Sequence, residues 1–247
     1  GPGEALGAPW HPHRGFETVT YLLDGRMRHE DSAGNSGELN PGDVQWMTAG
    51  RGIIHCEEPH EEFLKTGGRT HGFQIWVNLP SSHKMMEPRY QEVPSTESPI
   101  VEQDGVWARV IAGECMGTTS SIDTKIPITL IHVKMKPESR LVQQLQADLN
   151  GMIYVFGGRI NLENETRVKK SPIAFGIGAK QGIQDGELAL LSEGEEIVIK
   201  SQEGAEFLIF AGPELNEPIE RYGPFVMNTK EEIHQAFLDY QNGTLTS

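Results

Sequence analysis

The sequence predicts an all-β protein made of short antiparallel strands. Short segments rich in β-branched and apolar residues recur along the chain, and turn signals such as Asp24-Gly25 and Pro41-Gly42 separate them. Only one segment, close to the C-terminus, has the periodicity of an amphipathic helix. Many short strands joined by glycine-containing turns are typical of a β-sandwich or a β-barrel.

The predicted strands form two blocks, which indicates two domains. The first block contains strands at residues 18–23, 43–48, 53–57 and 71–79. The second block, which starts near Val106, contains strands at residues 129–135, 152–156, 187–191, 196–200 and 206–210. Between the blocks, residues 80–104 hold four prolines and no clean periodicity, so we interpret them as a linker or crossover. We therefore predict one domain at residues 1–100 and a second at residues 101–247.

One short helix is predicted near the C-terminus. Thr229-Lys-Glu-Glu232 has the pattern of a capping box, in which the first and last side chains satisfy free backbone N–H groups. An apolar stripe at helical spacing follows, formed by Ile233, Ala236, Phe237 and Tyr240. Gly243 is well placed to end the helix. We expect this helix to pack against a barrel.

Composition and charge argue against several classes of function. The formal net charge is −14 and no basic face is visible, so direct binding to nucleic acid is not expected. No apolar stretch is long enough to span a membrane, so no membrane partner is expected. Cys56 and Cys115 form no CxxC motif, which fits a reducing compartment, and we expect a cytoplasmic location. The chain begins without Met and without a signal peptide, so we expect a processed or incomplete chain.

Two motifs of metal-binding residue types are the most informative features of the chain. His11 and His13 are two residues apart, and so are His55 and Glu57. On a β-strand, residues two apart point to the same face. Two such strands facing one cavity would bring three imidazoles and a carboxylate together. This set of ligands suits iron, manganese, nickel or copper, whereas a closed zinc site would more often use cysteine.

A second carboxylate competes with Glu57 for the role of ligand. Glu17 is four residues after His13, so on a continuous strand it would share the same inward face. The residues alone leave the choice between Glu17 and Glu57 open. Among the other histidines, His29 precedes Glu30-Asp31 and is interpreted as part of a solvated polar turn. His71, at the start of a predicted strand, is the best spare candidate for a ligand.

Whole segments of the chain resemble the pirin family of the cupin superfamily. The HxH…E pattern followed by Pro41-Gly42 and a G-x-x-H motif resembles cupins, whose small antiparallel barrels hold a metal. The closer similarity to pirins covers residues 11–19, 40–53, 74–79 and 223–229. Because these segments lie at both ends, the resemblance extends over essentially the whole chain.

The resemblance implies two cupin barrels in one chain, each a double-stranded β-helix or jelly roll, with the short C-terminal helix. The N-terminal barrel would bind Fe2+, or another divalent metal such as Mn, Ni, Cu or Zn. The ligands would be His11, His13, His55 and Glu57, and Glu17 would be a supporting residue or an alternative ligand. Family members carry a longer segment before the first histidines, so we expect the first strands of this barrel to be missing. Trp10 stands where the family often has Asp.

A faint internal repeat suggests that the second barrel has lost the metal site. Tyr21 to Met27 resembles Tyr154 to Ile160, and this alignment places Gln144 and Gln146 at the positions of His11 and His13. Aligning Gly42 with Gly186 places Ile199 and Ser201 at the positions of His55 and Glu57. The C-terminal barrel is therefore expected to bind no metal.

The resemblance implies two alternative functions. The leading hypothesis is an Fe(II)-dependent quercetin (flavonol) 2,3-dioxygenase that uses O2, with Glu57 accepting the proton of the substrate hydroxyl. Apolar side chains that could line the pocket for the aromatic substrate are Trp46, Met47, Phe73 and Trp76. The alternative is an iron- or redox-sensing transcription co-regulator that binds a transcription factor, and in a eukaryote it would also be nuclear. A monomer is expected in both cases.

Overall fold

The computed structural model describes residues 1–163, 168–169, 182–191 and 194–247 of the chain. The chain divides into two compact units. Unit 1 comprises Gly1–Glu97 together with Leu215–Ser247, and unit 2 comprises Ser98–Glu214. Both units consist mainly of antiparallel strands, so the prediction of an all-β fold is confirmed. Among the described residues, no helix is long and apolar enough to cross a membrane.

The elements follow one another along the chain in three groups. The first group contains β1 Ala8–His13, β2 Phe16–Asp24, β3 Met27–Asp31, β4 Ser36–Leu39, β5 Val44–Thr48, β6 Ile53–Pro59, helix α1 Glu61–Thr66, β7 His71–Asn78, a 3-10 turn Ser81–His83 and β8 Arg89–Val93. The second group contains β9 Ile100–Gln103, β10 Val106–Ala112, β11 Glu114–Cys115, β12 Thr118–Thr119, β13 Thr129–Met135, β14 Ser139–Gln144, β15 Leu149–Leu162, β16 Val168–Lys169, β17 Ile183–Gln184, β18 Leu188–Leu191, β19 Glu196–Ser201 and β20 Ala205–Pro213. The third group contains β21 Glu220–Tyr222, β22 Phe225–Met227 and helix α2 Lys230–Gln241.

Unit 1 is built around two four-stranded antiparallel sheets. Their strand orders are β1-β6-β3-β4 and β7-β2-β5-β8. Strand β2 lies inside the second sheet and is buried from Phe16 to Leu22. Alternate side chains of β2 therefore point to opposite faces of the sheet, and both faces are covered.

Unit 2 is built around one large sheet with the order β14-β19-β15-β20-β13-β10-β9. The long strand β15 connects its parts, since it pairs with β17, β18, β19 and β20. Burial alternates along the first half of β15, where Leu149, Gly151, Ile153 and Val155 are buried. This period of two is the pattern of a strand with one face in the core.

The segment 80–104 is not a plain linker, as the sequence had suggested. It contains β8, which pairs with β5 so that Tyr90 lies opposite Met47. The prolines and the lack of periodicity gave no prediction of a strand in this segment, but β8 fits between Pro88 and Pro94 as an edge strand of its sheet. Edge positions tolerate nearby proline because one side of the strand needs no hydrogen bonds.

The C-terminal segment belongs to unit 1, which differs from the predicted division at residue 100. Arg14 forms an ion pair with Asp239 of α2 at 2.6 Å. Apolar side chains of the segment, including Phe225 and Ile233, form a cluster against which Ile54 of β6 packs. Long-range contacts of this kind leave no local signal in the sequence.

The predicted C-terminal helix is present as α2. The side chain of Thr229 accepts a hydrogen bond from the Glu232 amide, and the Glu232 carboxylate accepts one from the Thr229 amide. This is the predicted capping box. Ile233 and Ala236 of the apolar stripe are buried, whereas Tyr240 at its end is exposed.

Candidate metal centre

Three histidines of unit 1 converge on one point. Strands β1 and β6 are antiparallel neighbours, and His11 lies directly opposite His55. Because side chains alternate along β1, His13 points to the same side as His11. The imidazole ring centroids are 4.7 Å apart for His11 and His13, 4.3 Å for His11 and His55, and 4.9 Å for His13 and His55. One nitrogen atom of each ring lies within 4.8 Å of the other two.

Burial keeps the inner two imidazoles neutral. Burial, together with the neighbouring His13, His11 and His29, lowers the pKa of His55 to about 2. Burial and the neighbouring His11 lower the pKa of His13 to about 4. A neutral imidazole has a lone pair on one nitrogen, which is the form that binds a metal.

Hydrogen bonds to backbone carbonyls orient two of the three rings. The Nδ1 atom of His11 donates to the Pro9 carbonyl at 2.7 Å, and that of His13 donates to the Pro224 carbonyl at 3.2 Å. A carbonyl oxygen can only accept, so Nδ1 carries the proton in each neutral ring and Nε2 carries the lone pair. Metal-binding histidines typically show this arrangement.

The third imidazole, that of His55, gives the clearest indication that a ligand binds at this point. Nε2 of His55 is buried and has no hydrogen-bond partner among the described residues. A buried polar atom without a partner is unfavourable unless a ligand satisfies it. The donor set of imidazole nitrogens with a nearby carboxylate therefore fits a divalent transition metal.

Glu57 supplies that carboxylate. It is buried on β6, and it forms a second cluster of potential ligand atoms with His29 and His55. One carboxylate oxygen accepts a hydrogen bond from the Thr20 hydroxyl at 2.8 Å, and the other accepts one from the Gln74 amide at 2.6 Å. Both donors are neutral, and Glu57 forms no ion pair with the residues that the structure describes. His55 belongs to both clusters and links them.

His29 does not lie in a solvated turn, as the sequence had suggested. It is on β3 opposite Glu57, and its side chain is 0% exposed. The charged residues after it looked solvated, but pairing of β3 with β6 turns His29 inward. Alternation along β3 would have placed His29 and Asp31 on one face, but the sequence gave no sign of which strand lies beside them.

Glu17 lies outside both clusters of the described residues. The inference that it shares a face with His13 assumed a continuous strand, and the strand is broken. Gly15 has φ 86°, and a Cβ atom there would collide with the Val226 carbonyl, so the backbone turns between β1 and β2. Glu17 instead accepts a hydrogen bond from the Thr48 hydroxyl at 2.6 Å. Its role as an alternative ligand stays a prediction without geometric support.

The four apolar side chains suggested for a pocket divide between two faces of one sheet. Trp76 lies opposite Thr18, on the face that also carries Thr20 and Gln74, and its ring is 5.5 Å from that of His13. Met47, also opposite Thr18, shares this face. Trp46 lies opposite Val19 and Phe73 lies opposite Tyr21, so both point to the other face.

Several residues around the site gave no sequence signal. Thr20 and Gln74 reach Glu57 from neighbouring strands, and the carbonyl that fixes His13 comes from Pro224, far along the chain. Lys84 is buried and donates to three oxygens, among them the Gly15 carbonyl at 2.8 Å, so it holds the backbone that follows the first histidines. His71 lies beside Asp24 and Arg69, outside both clusters.

The corresponding strands of unit 2 carry no such cluster among the described residues. Strand β14 pairs with β19 as β1 pairs with β6, and Leu141 lies opposite Ile199. With Ile199 in the place of His55, this register puts Leu141 and Gln143 at the positions of His11 and His13. The sequence alignment had assigned Gln144 and Gln146 to these positions, and it was shifted because the turns between the strands differ in length.

Both units are built from antiparallel sheets, and unit 1 carries inward-facing histidines and a glutamate. Together these features define a cupin-type protein with a candidate metal site. Residues 2–77 match the family model described as Pirin, and residues 130–246 match that of the pirin C-terminal cupin domain. The chain belongs to the pirin family.

Individual relatives agree with this assignment. Human pirin is 42% identical over 243 residues, which cover 97% of this chain and 78% of the human protein. A pirin-like protein of Solanum lycopersicum is 42% identical over 242 residues, covering 97% of this chain and 77% of that protein. The crystal structure of a quercetin 2,3-dioxygenase from Acinetobacter baumannii matches with a TM-score of 0.88 and 36% identity, covering 100% of this chain and 82% of that one. The two-barrel prediction is thereby confirmed.

Proposed function

We propose that the chain is a metal-dependent dioxygenase that cleaves a flavonol such as quercetin with O2. The observation that carries the proposal is the convergence of three imidazoles beside a buried carboxylate, where Nε2 of His55 has no hydrogen-bond partner among the described residues. The similarity to the Acinetobacter baumannii quercetin 2,3-dioxygenase supports the choice of reaction.

The metal ligands in this proposal are His11, His13, His55 and Glu57, and the metal is Fe2+. When bound, the metal would supply Lewis acidity toward the substrate hydroxyl and a redox centre for O2. The imidazoles of His13 and His55 add no charge to the site, because burial keeps them neutral. The single negative charge of Glu57 leaves a site with net positive charge, which favours an anionic substrate oxygen.

Glu57 also accepts the proton of the substrate 3-hydroxyl. Hydrogen bonds from Thr20 and Gln74 hold its two oxygens, so the carboxylate is aimed before the substrate arrives. Trp76 lies on the same face as these two donors, is partly exposed and offers apolar contact to the aromatic rings, whereas Met47 on this face is buried in the core. O2 then adds across the deprotonated ring, which opens with release of carbon monoxide.

The test is turnover by protein loaded with Fe(II). Quercetin loss is followed by absorbance and carbon monoxide by gas analysis, in the presence of O2. We expect turnover by the wild-type protein and by His234→Ala, which removes an exposed histidine from α2. We expect none from His11→Ala. Absence of quercetin loss with any bound divalent metal would refute the proposal.

A second candidate function is a metal-sensing module that binds a transcription factor. It is favoured by the direct path from the site to the surface of unit 1. His13 is hydrogen-bonded to the Pro224 carbonyl, and the adjacent Arg14 is paired with Asp239 on α2. A change in metal charge could therefore alter the segment 220–241.

Hydrogen exchange tests this second function. The exchange of residues 220–241 is compared between the Fe(II) and Fe(III) forms of the protein. We expect the two forms to differ in this segment if it reports the state of the metal. Equal exchange in both forms would remove the basis for the co-regulator function.

A further inference from the structure

His29 is an inward-facing histidine whose ring contacts two other aromatic rings. It lies on β3, and Tyr90 stacks on one side of its ring with centroids 5.2 Å apart and an interplanar angle of 25°. The ring of His55 is also close, at a centroid distance of 5.2 Å and an interplanar angle of 52°. The ring therefore has a fixed position beside the candidate metal ligands.

The two histidines face each other through like atoms. Nδ1 of His29 is 3.4 Å from Nδ1 of His55, within hydrogen-bond distance. Only one of two neutral rings can donate in such a contact, because the other must present a lone pair. The contact therefore links the proton positions of the two rings.

Asp31 decides the direction of this hydrogen bond. Its carboxylate is anchored by the amides of Ala33 and Asn35 and by the Asn35 side chain, at 2.9, 2.9 and 2.8 Å. One of its oxygens lies 3.7 Å from Nε2 of His29. A fixed negative charge there favours the His29 tautomer with the proton on Nε2. Nδ1 of His29 is then the acceptor, and His55 donates from Nδ1.

The opposite direction of the His29–His55 hydrogen bond would place a proton on Nε2 of His55. If His29 donated, His55 would carry its proton on Nε2, a buried atom with no acceptor among the described residues. Nε2 of His29 is also buried without a hydrogen-bond partner among the described residues, but the Asp31 carboxylate lies 3.7 Å from it, and this negative charge favours a proton there. The direction set by Asp31 instead leaves a lone pair on Nε2 of His55, facing the other imidazoles.

We propose that His29 is a positioning residue that fixes the tautomer of His55 and so presents its Nε2 atom to the metal. His11 and His13 use backbone carbonyls for this purpose, whereas His55 uses a side chain. The inference builds on the proposed metal site, but its central claim concerns the metal-free protein. It is independent of which substrate the protein acts on.

Two variants separate the hydrogen bond from the packing. His29→Phe keeps an aromatic ring against Tyr90 and removes the acceptor. His29→Asn shortens the side chain but retains an amide oxygen near the position of Nδ1, so it can accept from His55. Thermal unfolding of both metal-free variants, followed by circular dichroism, verifies that they fold.

The first measurement is the tautomer of His55 in the metal-free protein, from nitrogen-15 NMR of the histidine rings, with His55→Ala for assignment. We expect the proton on Nδ1 of His55 in the wild-type protein and in His29→Asn. We expect a mixture of tautomers in His29→Phe. A proton on Nε2 of His55 in the wild-type protein would overturn the proposal.

The second measurement is the affinity for Co2+, followed by its visible absorption. We expect His29→Phe to bind Co2+ about 10- to 100-fold more weakly, as for the loss of other hydrogen bonds to metal ligands. We expect His29→Asn to stay within about threefold of the wild-type protein, because it restores the acceptor. Equal affinity of His29→Phe and the wild-type protein would contradict the proposal.

The two measurements together distinguish positioning from direct ligation. If His29→Phe loses affinity while His55 keeps its proton on Nδ1, His29 itself binds the metal and the proposal is wrong. If quercetin is not turned over but the tautomers are as expected, the proposed reaction fails and the role of His29 stands.

Discussion

The two units share a pattern of strand pairing, but they differ in the side chains that point inward from the strands. In unit 1, β6 lies between β1 and β3, and in unit 2, β19 lies between β14 and β15. The matched inward positions hold polar side chains in unit 1 and mostly apolar ones in unit 2. Taken in order, His11, His13, His29, His55 and Glu57 correspond to Leu141, Gln143, Ile160, Ile199 and Ser201.

This difference shows that the strand framework does not require the candidate metal site. Leu141, Ile160 and Ile199 belong to one apolar core and are almost fully buried. Their burial stabilises unit 2 directly. The histidines and Glu57 of unit 1 are buried at a cost, which a metal bound by them would offset. The two units thus stabilise the same pairing pattern by opposite means.

Removing a ligand from unit 1 should have the largest effect. We expect His55→Ala to lower metal affinity by more than about 100-fold, since losing a ligand exceeds the loss of a supporting hydrogen bond. The metal content of purified protein, measured by elemental mass spectrometry, should fall from near stoichiometric to background. His234→Ala should leave it unchanged. Full metal content in His55→Ala would show that the site lies elsewhere.

Truncating Ile199, the residue of unit 2 that corresponds to His55, should lower the stability of unit 2 and leave metal binding unchanged. We expect Ile199→Ala to destabilise unit 2 by about 2–5 kcal/mol, as for other buried isoleucines. The metal content should not change. Urea unfolding and elemental analysis of the same preparation measure both quantities. A loss of metal from this variant would show that metal binding in unit 1 depends on the apolar core of unit 2, which would contradict the comparison.

Adding metal should stabilise unit 1. At a free metal concentration about 100 times the dissociation constant, binding to the folded state alone contributes about 2.7 kcal/mol. Calorimetry with and without a chelator should show an upward shift of the unfolding transition in the wild-type protein. His55→Ala serves as the control and should show no shift. A shift of equal size in this variant would point to metal binding outside the cluster.

Lowering the pH should destabilise metal-free unit 1. The pKa values of His55 and His13 are lowered to about 2 and about 4 in the folded state, so the unfolded state binds more protons below pH 6.5. Stability is therefore full above pH 6.5 and falls as the pH decreases toward 4. The slope is about 1.4 kcal/mol per pH unit for each such histidine.

The variant His55→Ile introduces the side chain of the matching residue Ile199 of unit 2. It isolates the contribution of His55 to the pH dependence of stability. Urea unfolding of metal-free protein at pH 7.5 and pH 5 should show a smaller pH dependence in the variant than in the wild-type protein. Carboxylates contribute equally to both and cancel in the difference. An unchanged pH dependence would mean that His55 is not held neutral by burial.

The sequence by itself determined the class of fold and the core of the site. Strand segments such as 71–79 and the capping box of α2 are local patterns, and they are present in the structure. The two-residue spacing of His11 with His13 needs only the alternation of a strand to put both rings on one face. The segments shared with the pirin family added the expectation of two barrels.

Tertiary structure decided what depends on strand register and on contacts between distant segments. His29 looked solvated beside Glu30 and Asp31, and only pairing with β6 turned it inward. Glu17 was separated from the histidines by the turn at Gly15, which Val226 from the other end of the chain enforces. Hydrogen bonds between strands fix the register, and a shift of one residue reverses every side chain. Local residue patterns carry no record of such partners, so these features followed from the structure alone.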